Sequence, residues 1–319
     1  MLRAPSYFVS HGTALHTLDP LSAPLLALRA EGDRALRRGG LRAVVVLSAH
    51  WFAVGSRIGV GASTEPPTIH DHPSAHLYSF RYPARGDPAL AAQVAQLLTH
   101  AGFEARLEDE RGLDHGAWLA LEMLLPGAPL PVVPVALPAV GSDAATYVRF
   151  GEALAPLRAA GVLLLCSGGA THNQDYFRHE FLGRRLSMGG DEASLASRRA
   201  ALKEAELHVP SWSVDFDAWL TAALARTPAA ARSAELRRYA MAPGGARSHP
   251  EPSHLLPALV FAGTAPVAAA QVAVDGFNGS PLLGRLDASV STEDEDEAGA
   301  VKVAAGYQYG LSMSCYRLA

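Results

Sequence analysis

The run Ala43-Val44-Val45-Val46-Leu47-Ser48-Ala49 is apolar, largely β-branched and uninterrupted, and a histidine, His50, follows it at once. Runs of this length and character, bounded by turn-forming residues, read as β-strands. Tyr7 to Val9, Arg57 to Val60, Pro131 to Ala136, Val162 to Cys166 and Gln271 to Val274 are of the same kind. Between most of them lie stretches with apolar residues at helical spacing: Pro20 to Arg38, Asp87 to Ala101, Gly116 to Leu125 and Asp143 to Ala160. Several of these open on an acidic residue or a proline and close at glycine, as helices do. Strands alternating with helices require crossover connections. The predicted fold is therefore α/β, a single domain over residues 1–319 with a central mostly parallel or mixed β-sheet flanked by helices.

Past Cys166 the pattern is less regular. Arg178 to Pro210 is rich in arginine, acidic residues and glycine and reads as an insertion, with a weak helix at Ser194 to Glu206. Asp215 to Ala225 and Ser233 to Met241 read as helices, and Ser291 to Glu297 as an exposed acidic loop. Ala304 to Arg317 alternates enough to be a last strand that tucks the C-terminus into the sheet. There is no internal repeat and no clear linker.

With 49% hydrophobic and 18% charged residues, the chain can bury a sizeable core. A net charge of -4 and a pI near 6.3 give no broad basic face, so a small molecule is the expected partner, not nucleic acid. Met1 to Pro5 lead straight into the first strand with no room for a signal-peptide apolar region, and no stretch is long enough for a membrane span. The expected location is the cytoplasm, without a membrane partner. The two cysteines, Cys166 and Cys315, are too few for a disulfide framework or a thiolate zinc knuckle and read as buried packing. Any metal must then be held by nitrogen and oxygen.

Histidine supplies that possibility. His11 follows the first strand, His50 ends the second, and His172 comes six residues after Cys166. The carboxyl ends of strands in an open α/β sheet form the rim where ligands bind, so these imidazoles converge on one cleft. His254 lies in Glu251-Pro252-Ser253-His254-Leu255-Leu256-Pro257, which reads as the first turn of a helix. An individual histidine among the 13 is more often a surface or hydrogen-bonded residue than a ligand, and His16, His76, His100, His179 and His208 are left as such. The tripeptides Ser10-His11-Gly12, Asp114-His115-Gly116 and Thr171-His172-Asn173 differ in their small or turn-forming neighbours, which let backbone approach a bound group. Asp114 and Asn173 are candidates to orient a ring through its second nitrogen, although residues adjacent in sequence need not face one another. Neutral imidazoles with open positions make a catalytic rather than a structural metal site.

In order along the chain, Ser10-His11-Gly12, Ser48-Ala49-His50-Trp51, Pro67-Thr68-Ile69-His70-Asp71, Arg81-Tyr82-Pro83-Ala84, Gly112-Leu113-Asp114-His115-Gly116-Ala117-Trp118, Thr171-His172-Asn173, His249-Pro250 with His254-Leu255-Leu256-Pro257, and Gly310-Leu311-Ser312-Met313 resemble the class III (LigB-type) extradiol ring-cleaving dioxygenases, in the branch of the DOPA 4,5-dioxygenases. The resemblance implies that His11, His50 and His254 hold the metal, that His172 is the catalytic acid/base beside it, and that His115 positions substrate or dioxygen. A fourth protein ligand would leave too little room for a chelating diol and dioxygen, which is why His172 is given the proton-transfer role. His70 and Tyr82 are the expected substrate contacts.

The implied cofactor is Fe(II), with Zn2+ as the other metal that such a set binds and O2 as co-substrate. The implied substrate is a small aromatic diol opened to a semialdehyde, and the assembly is compatible with a homodimer. Three departures from the family pattern are Thr13-Ala14, where Ser-Pro is usual, Ser253, where an acidic residue usually precedes the histidine, and the stretch after Arg178, which looks like an insertion. The competing readings are a zinc-dependent hydrolase on the same scaffold, recognised by turnover without O2 uptake, and a non-enzymatic binding protein.

Overall fold

The computed structural model describes residues 3–12, 23–71, 78–182, 209–226, 228–265, 299–304, 307–308 and 311–318. Its strands are β1 (Ser6–Ser10), β2 (Ala43–Phe52), β3 (Arg57–Gly61), β4 (Glu104–Glu108), β5 (Val132–Leu137), β6 (Val162–Gly168), β7 (Val301–Ala304), β8 (Tyr307–Gln308), β9 (Leu311–Ser312) and β10 (Cys315–Leu318). Eight of them form one sheet in the order β4-β3-β5-β2-β6-β1-β10-β7, and β8 pairs with β9 alone. The inner four, β5-β2-β6-β1, are parallel to their neighbours, while β3 against β5 and β10 against β1 are antiparallel. The sheet is mixed, and its parallel centre puts four carboxyl ends on one rim.

The uninterrupted apolar runs follow from burial on both faces of this centre. Phe8, Val45, Leu47, Leu164 and Cys166 point into one layer, and Tyr7, Val9, Val44, Val46, Leu163 and Leu165 into the other. The first layer is closed by α2 (Pro88–His100), α4 (Ala144–Leu154), α5 (Ser211–Leu224) and α7 (Leu256–Gly263), with α6 (Ala229–Leu236) beside them. The second is closed by α1 (Ala23–Arg38) and α3 (His115–Leu124). Both cysteines are free and buried, as packing residues. Among the described residues no helix is long and apolar enough to cross a membrane.

Several expectations change. β2 does not end before His50 but runs on to Phe52 through an irregularity, since Leu47 faces Val135 while Phe52 faces Leu137 of β5. The extra residues lift Ser48 to Trp51 out of the ladder with β5, a common device beside active sites. The helix after His254 begins at Leu256 with Pro257 in its first turn, so His254 sits in the preceding turn and Pro252 is not its first helical residue. β4, Glu-Ala-Arg-Leu-Glu, has no apolar run because it is an exposed edge strand, where charges discourage further pairing. The C-terminal stretch is broken into short pieces, yet β10 lies beside β1 with Tyr7 opposite Arg317. The segments 271–274, 194–206 and 291–297 lie outside the described residues.

Candidate metal centre

β6 lies between β1 and β2, so the two strands that carry His11 and His50 flank the strand that ends near His172. His11 is the first residue beyond β1, and its N–H still donates to the Gly168 carbonyl at 3.0 Å. Ser167 of β6 pairs with Val9 on one side and Ser48 on the other, which centres its side chain beneath the histidines. Its hydroxyl donates to the Gly116 carbonyl at 2.6 Å and stands 2.9 Å from His11 Nδ1. A hydroxyl has one proton, and a carbonyl can only accept it. His11 Nδ1 must therefore donate to Ser167 Oγ, which leaves the Nε2 lone pair facing the cleft.

His50 Nε2 is 3.3 Å from His11 Nε2. The ring of His254 completes the triangle, with centroids 5.3 Å from His11 and 4.9 Å from His50. His254 is clamped to the end of β6, where the Gly169 N–H donates to its carbonyl at 2.9 Å. A Cβ on Gly168 would lie 2.2 Å from that same carbonyl oxygen, so only glycine allows the approach. Ligand nitrogens of His11, His50 and His254 all fall within 4.8 Å of one another. Two nitrogens bonded to one ion at about 2.1 Å stand roughly 3.0–3.4 Å apart for angles of 90–109°, so the His11–His50 spacing fits a shared cation.

His172 is delivered by the loop after β6, which three hydrogen bonds join to residues 247–249. The His172 N–H donates to Ser248 O at 2.9 Å, His249 Nε2 donates to Ala170 O at 3.0 Å, and Asn173 Nδ2 donates to Arg247 O at 2.7 Å. The His172 ring stacks on His254 with centroids 3.5 Å apart and planes within 2°. His115 begins α3, and its ring lies 3.9 Å from that of His50. Asp71 Oδ1 accepts the His115 backbone N–H at 2.9 Å and lies 3.0 Å from its Nδ1. Burial pushes the Asp71 carboxyl up, but its contacts with His115 prevail and hold it at about 2.

Burial also governs the imidazoles. It drives His172 down to about 4 against an opposing pull from Glu251, and drives His254 well below its ordinary value with help from neighbouring histidines. Both rings are neutral at pH 7, the form that binds a metal or accepts a proton.

The structure thus brings together His11, His50, His115, His172 and His254. The other two expected residues, His70 and Tyr82, have partners of their own. His70 pairs its Nε2 with Arg81 and sits 5.6 Å from the Tyr78 ring. Tyr82 is buried in the layer under α3, its hydroxyl donating to Leu125 O at 2.8 Å. Asp114 and Asn173 do not orient rings; each caps a helix, accepting from the N–H of Ala117 and Tyr176 respectively. Asp71 and Ser167 carry no expected role from the sequence, and Gly116 none beyond close approach of the backbone. Asp71 follows a histidine in a turn-rich motif, which was the only available hint, while a serine ending an apolar strand carries none.

A sequence profile of the catalytic LigB subunit of aromatic ring-opening dioxygenase matches residues 5–283. A 4,5-DOPA dioxygenase extradiol of Beta vulgaris is 31% identical over 264 residues, covering 82% of this chain and 86% of that protein. One from Escherichia coli K12 is 32% identical over 265 residues, 82% of this chain and 85% of its own. One from Portulaca grandiflora is 34% identical over 227 residues, 70% and 72%. The crystal structure of an uncharacterized protein from Escherichia coli K12 superposes with a TM-score of 0.65 and 25% identity over 99% of this chain and 100% of that one.

Proposed function

The chain belongs to the family of the catalytic LigB subunit of aromatic ring-opening dioxygenases and is an extradiol ring-cleaving enzyme, and from that premise we propose that it opens a small catechol with O2, using Fe(II) held by His11, His50 and His254. The observation that carries the proposal is the triangle of imidazole nitrogens at the parallel strand ends, with His11 set by Ser167 to present a bare Nε2. The names of the relatives favour a DOPA-like catechol as substrate. When bound, the ion would supply positive charge that eases loss of the diol protons and a common point of attachment for ring and O2.

The remaining work falls to the chain. His172, neutral and stacked on His254, takes a proton from the diol. Its environment disfavours the imidazolium, so the ring holds that proton only in passing and is set to give it back within the cleft. His115, braced by Asp71, lies against the His50 ring and positions the bound reactants. His172 lies outside the three-nitrogen set, which supports proton transfer over ligation.

The test is O2 consumption by metal-stripped protein reconstituted anaerobically with Fe(II), against DOPA, caffeate and protocatechuate, while following a new visible absorbance. Uptake matched to the absorbance is expected with at least one catechol, and zinc-loaded protein should show none. His50→Ala and His254→Ala are expected to lose metal, whereas His172→Ala should keep it and slow turnover about 10²–10⁴-fold. Equal metal loss in all three would make His172 a ligand. Catechol-independent hydrolysis by the zinc form would replace the proposal with a hydrolase.

A further inference from the structure

We infer that Ser253 and Glu251 form a relay that orients His254 and strengthens its Nε2 as a donor, carrying carboxylate character to a buried ring through a hydroxyl; this rests on the reading of His254 as a metal ligand. Ser253 Oγ lies 3.1 Å from His254 Nδ1 and donates to Glu251 Oε2. The other carboxylate oxygen, Oε1, accepts the Ser253 backbone N–H at 3.0 Å. An ionised carboxylate can only accept, so the one proton of the Ser253 hydroxyl belongs to that bond. The hydroxyl oxygen is then an acceptor toward His254, whose Nδ1 must carry the hydrogen and whose Nε2 must be bare. Glu251 thus grips Ser253 by both its N–H and its O–H, across Pro252, whose ring fixes the backbone between them.

The logic repeats that of His11, with one difference in charge. The His11 relay ends on the neutral Gly116 carbonyl, and the His254 relay ends on a full negative charge. Charge-assisted hydrogen bonds are roughly twice as strong as neutral ones, so the two imidazoles are unequal donors. The serine also resolves a solvation conflict. His254 is buried and Glu251 exposed, and a carboxylate bonded directly to the ring would have to leave water. One interposed hydroxyl lets the charge remain at the surface. A capping role does not account for Ser253, because α7 begins after Leu255 and has no side-chain cap.

Metal affinity read by competition with a chromophoric chelator, and the visible spectrum of the Co(II)-substituted protein, test the relay without turnover. Ser253→Ala should weaken binding about 10–100-fold and shift the Co(II) bands. Ser253→Thr should retain both, and Glu251→Gln should weaken binding several-fold. The Ser253→Ala/Glu251→Gln double variant should bind no more weakly than Ser253→Ala, because the two act as one chain. Thermal melts of the metal-free variants should match the parent. Wild-type affinity in Ser253→Ala, or a full Glu251→Gln loss in the Ser253→Ala background, would overturn the relay. If Ser253→Ala fails to fold, Ser253→Thr and Glu251→Gln decide the matter. His254→Ala separates the premise: unchanged metal affinity there would sink the ligand reading itself.

Discussion

At the scale of single residues the site depends on what is missing as much as on what is present. A Cβ on Gly116 would stand 2.5 Å from Ser48 Oγ, 2.7 Å from His50 Cδ2 and 3.2 Å from His11 Cε1. Gly116 lies in the first turn of α3, where alanine would ordinarily favour the helix by about 1 kcal/mol. The crowding opposes that gain and pushes on two imidazoles at once. Gly116→Ala should therefore lower metal affinity at least about tenfold, given how sharply binding depends on ligand orientation. Unchanged affinity by chelator competition would show that the rings tolerate the displacement. The convergence of His11, His50 and His172 was legible from their places at strand ends, whereas the roles given to them came from the ordered family motifs, since a histidine beside a small residue is weak evidence by itself. Ser167 was not legible, since its role depends on which strand lies between β1 and β2.

At the scale of elements, α3 is the helix that carries His115 into the cleft, and almost every residue after His115 in it is buried. Its start is fixed by Asp114, whose Oδ1 accepts the Ala117 N–H at 3.0 Å and the Ser48 hydroxyl at 2.5 Å, while Oδ2 accepts Arg111 at 2.7 Å. Asp114→Ala removes an N-cap and leaves a buried hydroxyl and a largely buried guanidinium without their acceptor. The expected loss is about 2–4 kcal/mol, a cap of about 1 with the remainder from unsatisfied groups. Asp114→Asn, which still caps, should lose about 1 kcal/mol. Urea midpoints compare them, and equal loss in both would mean that the charge toward Arg111, rather than the cap, dominates. The sequence pattern located this helix within a residue, because its apolar run and acidic start are local signals. It left Asp114 as a candidate to orient a ring, because adjacency in sequence says nothing about which way a capping side chain turns.

At the scale of the whole molecule, buried neutral histidines tie stability to pH. Burial pushes His249 down to about 3 and His172 to about 4, and His254 well below its ordinary value. In the unfolded chain each titrates near 6.5. Below that pH the unfolded state takes up protons that the folded state refuses, so stability is complete above about 6.5 and declines on acidification until the folded values are reached. The slope is at most about 1.4 kcal/mol per pH unit for each histidine. The urea midpoint of the metal-free protein should therefore fall between pH 7 and pH 5, and His249→Gln should flatten that fall. A midpoint constant over the same interval would mean that these rings are charged in the folded state. Asp71, held at about 2, acts in a lower window, its contribution disappearing only as the pH falls from about 4 toward 2.

The layered α/β architecture, the strands of the parallel centre and the histidines at their ends can be read from the order of residues alone. Those follow from local hydrophobic periodicity, from turn chemistry and from histidines placed at strand ends. The groups that complete the site depend instead on how the chain packs. Strand order set Ser167 under His11, a break in the β2 ladder aimed His50, and a turn rather than a helix presented His254. Packing also tied remote segments together through buried Arg158, which donates to the carbonyls of Ala4, Thr264 and Leu318. Such pairings join residues more than a hundred positions apart, and hydrogen-bond direction and burial exist only once the chain has closed on itself.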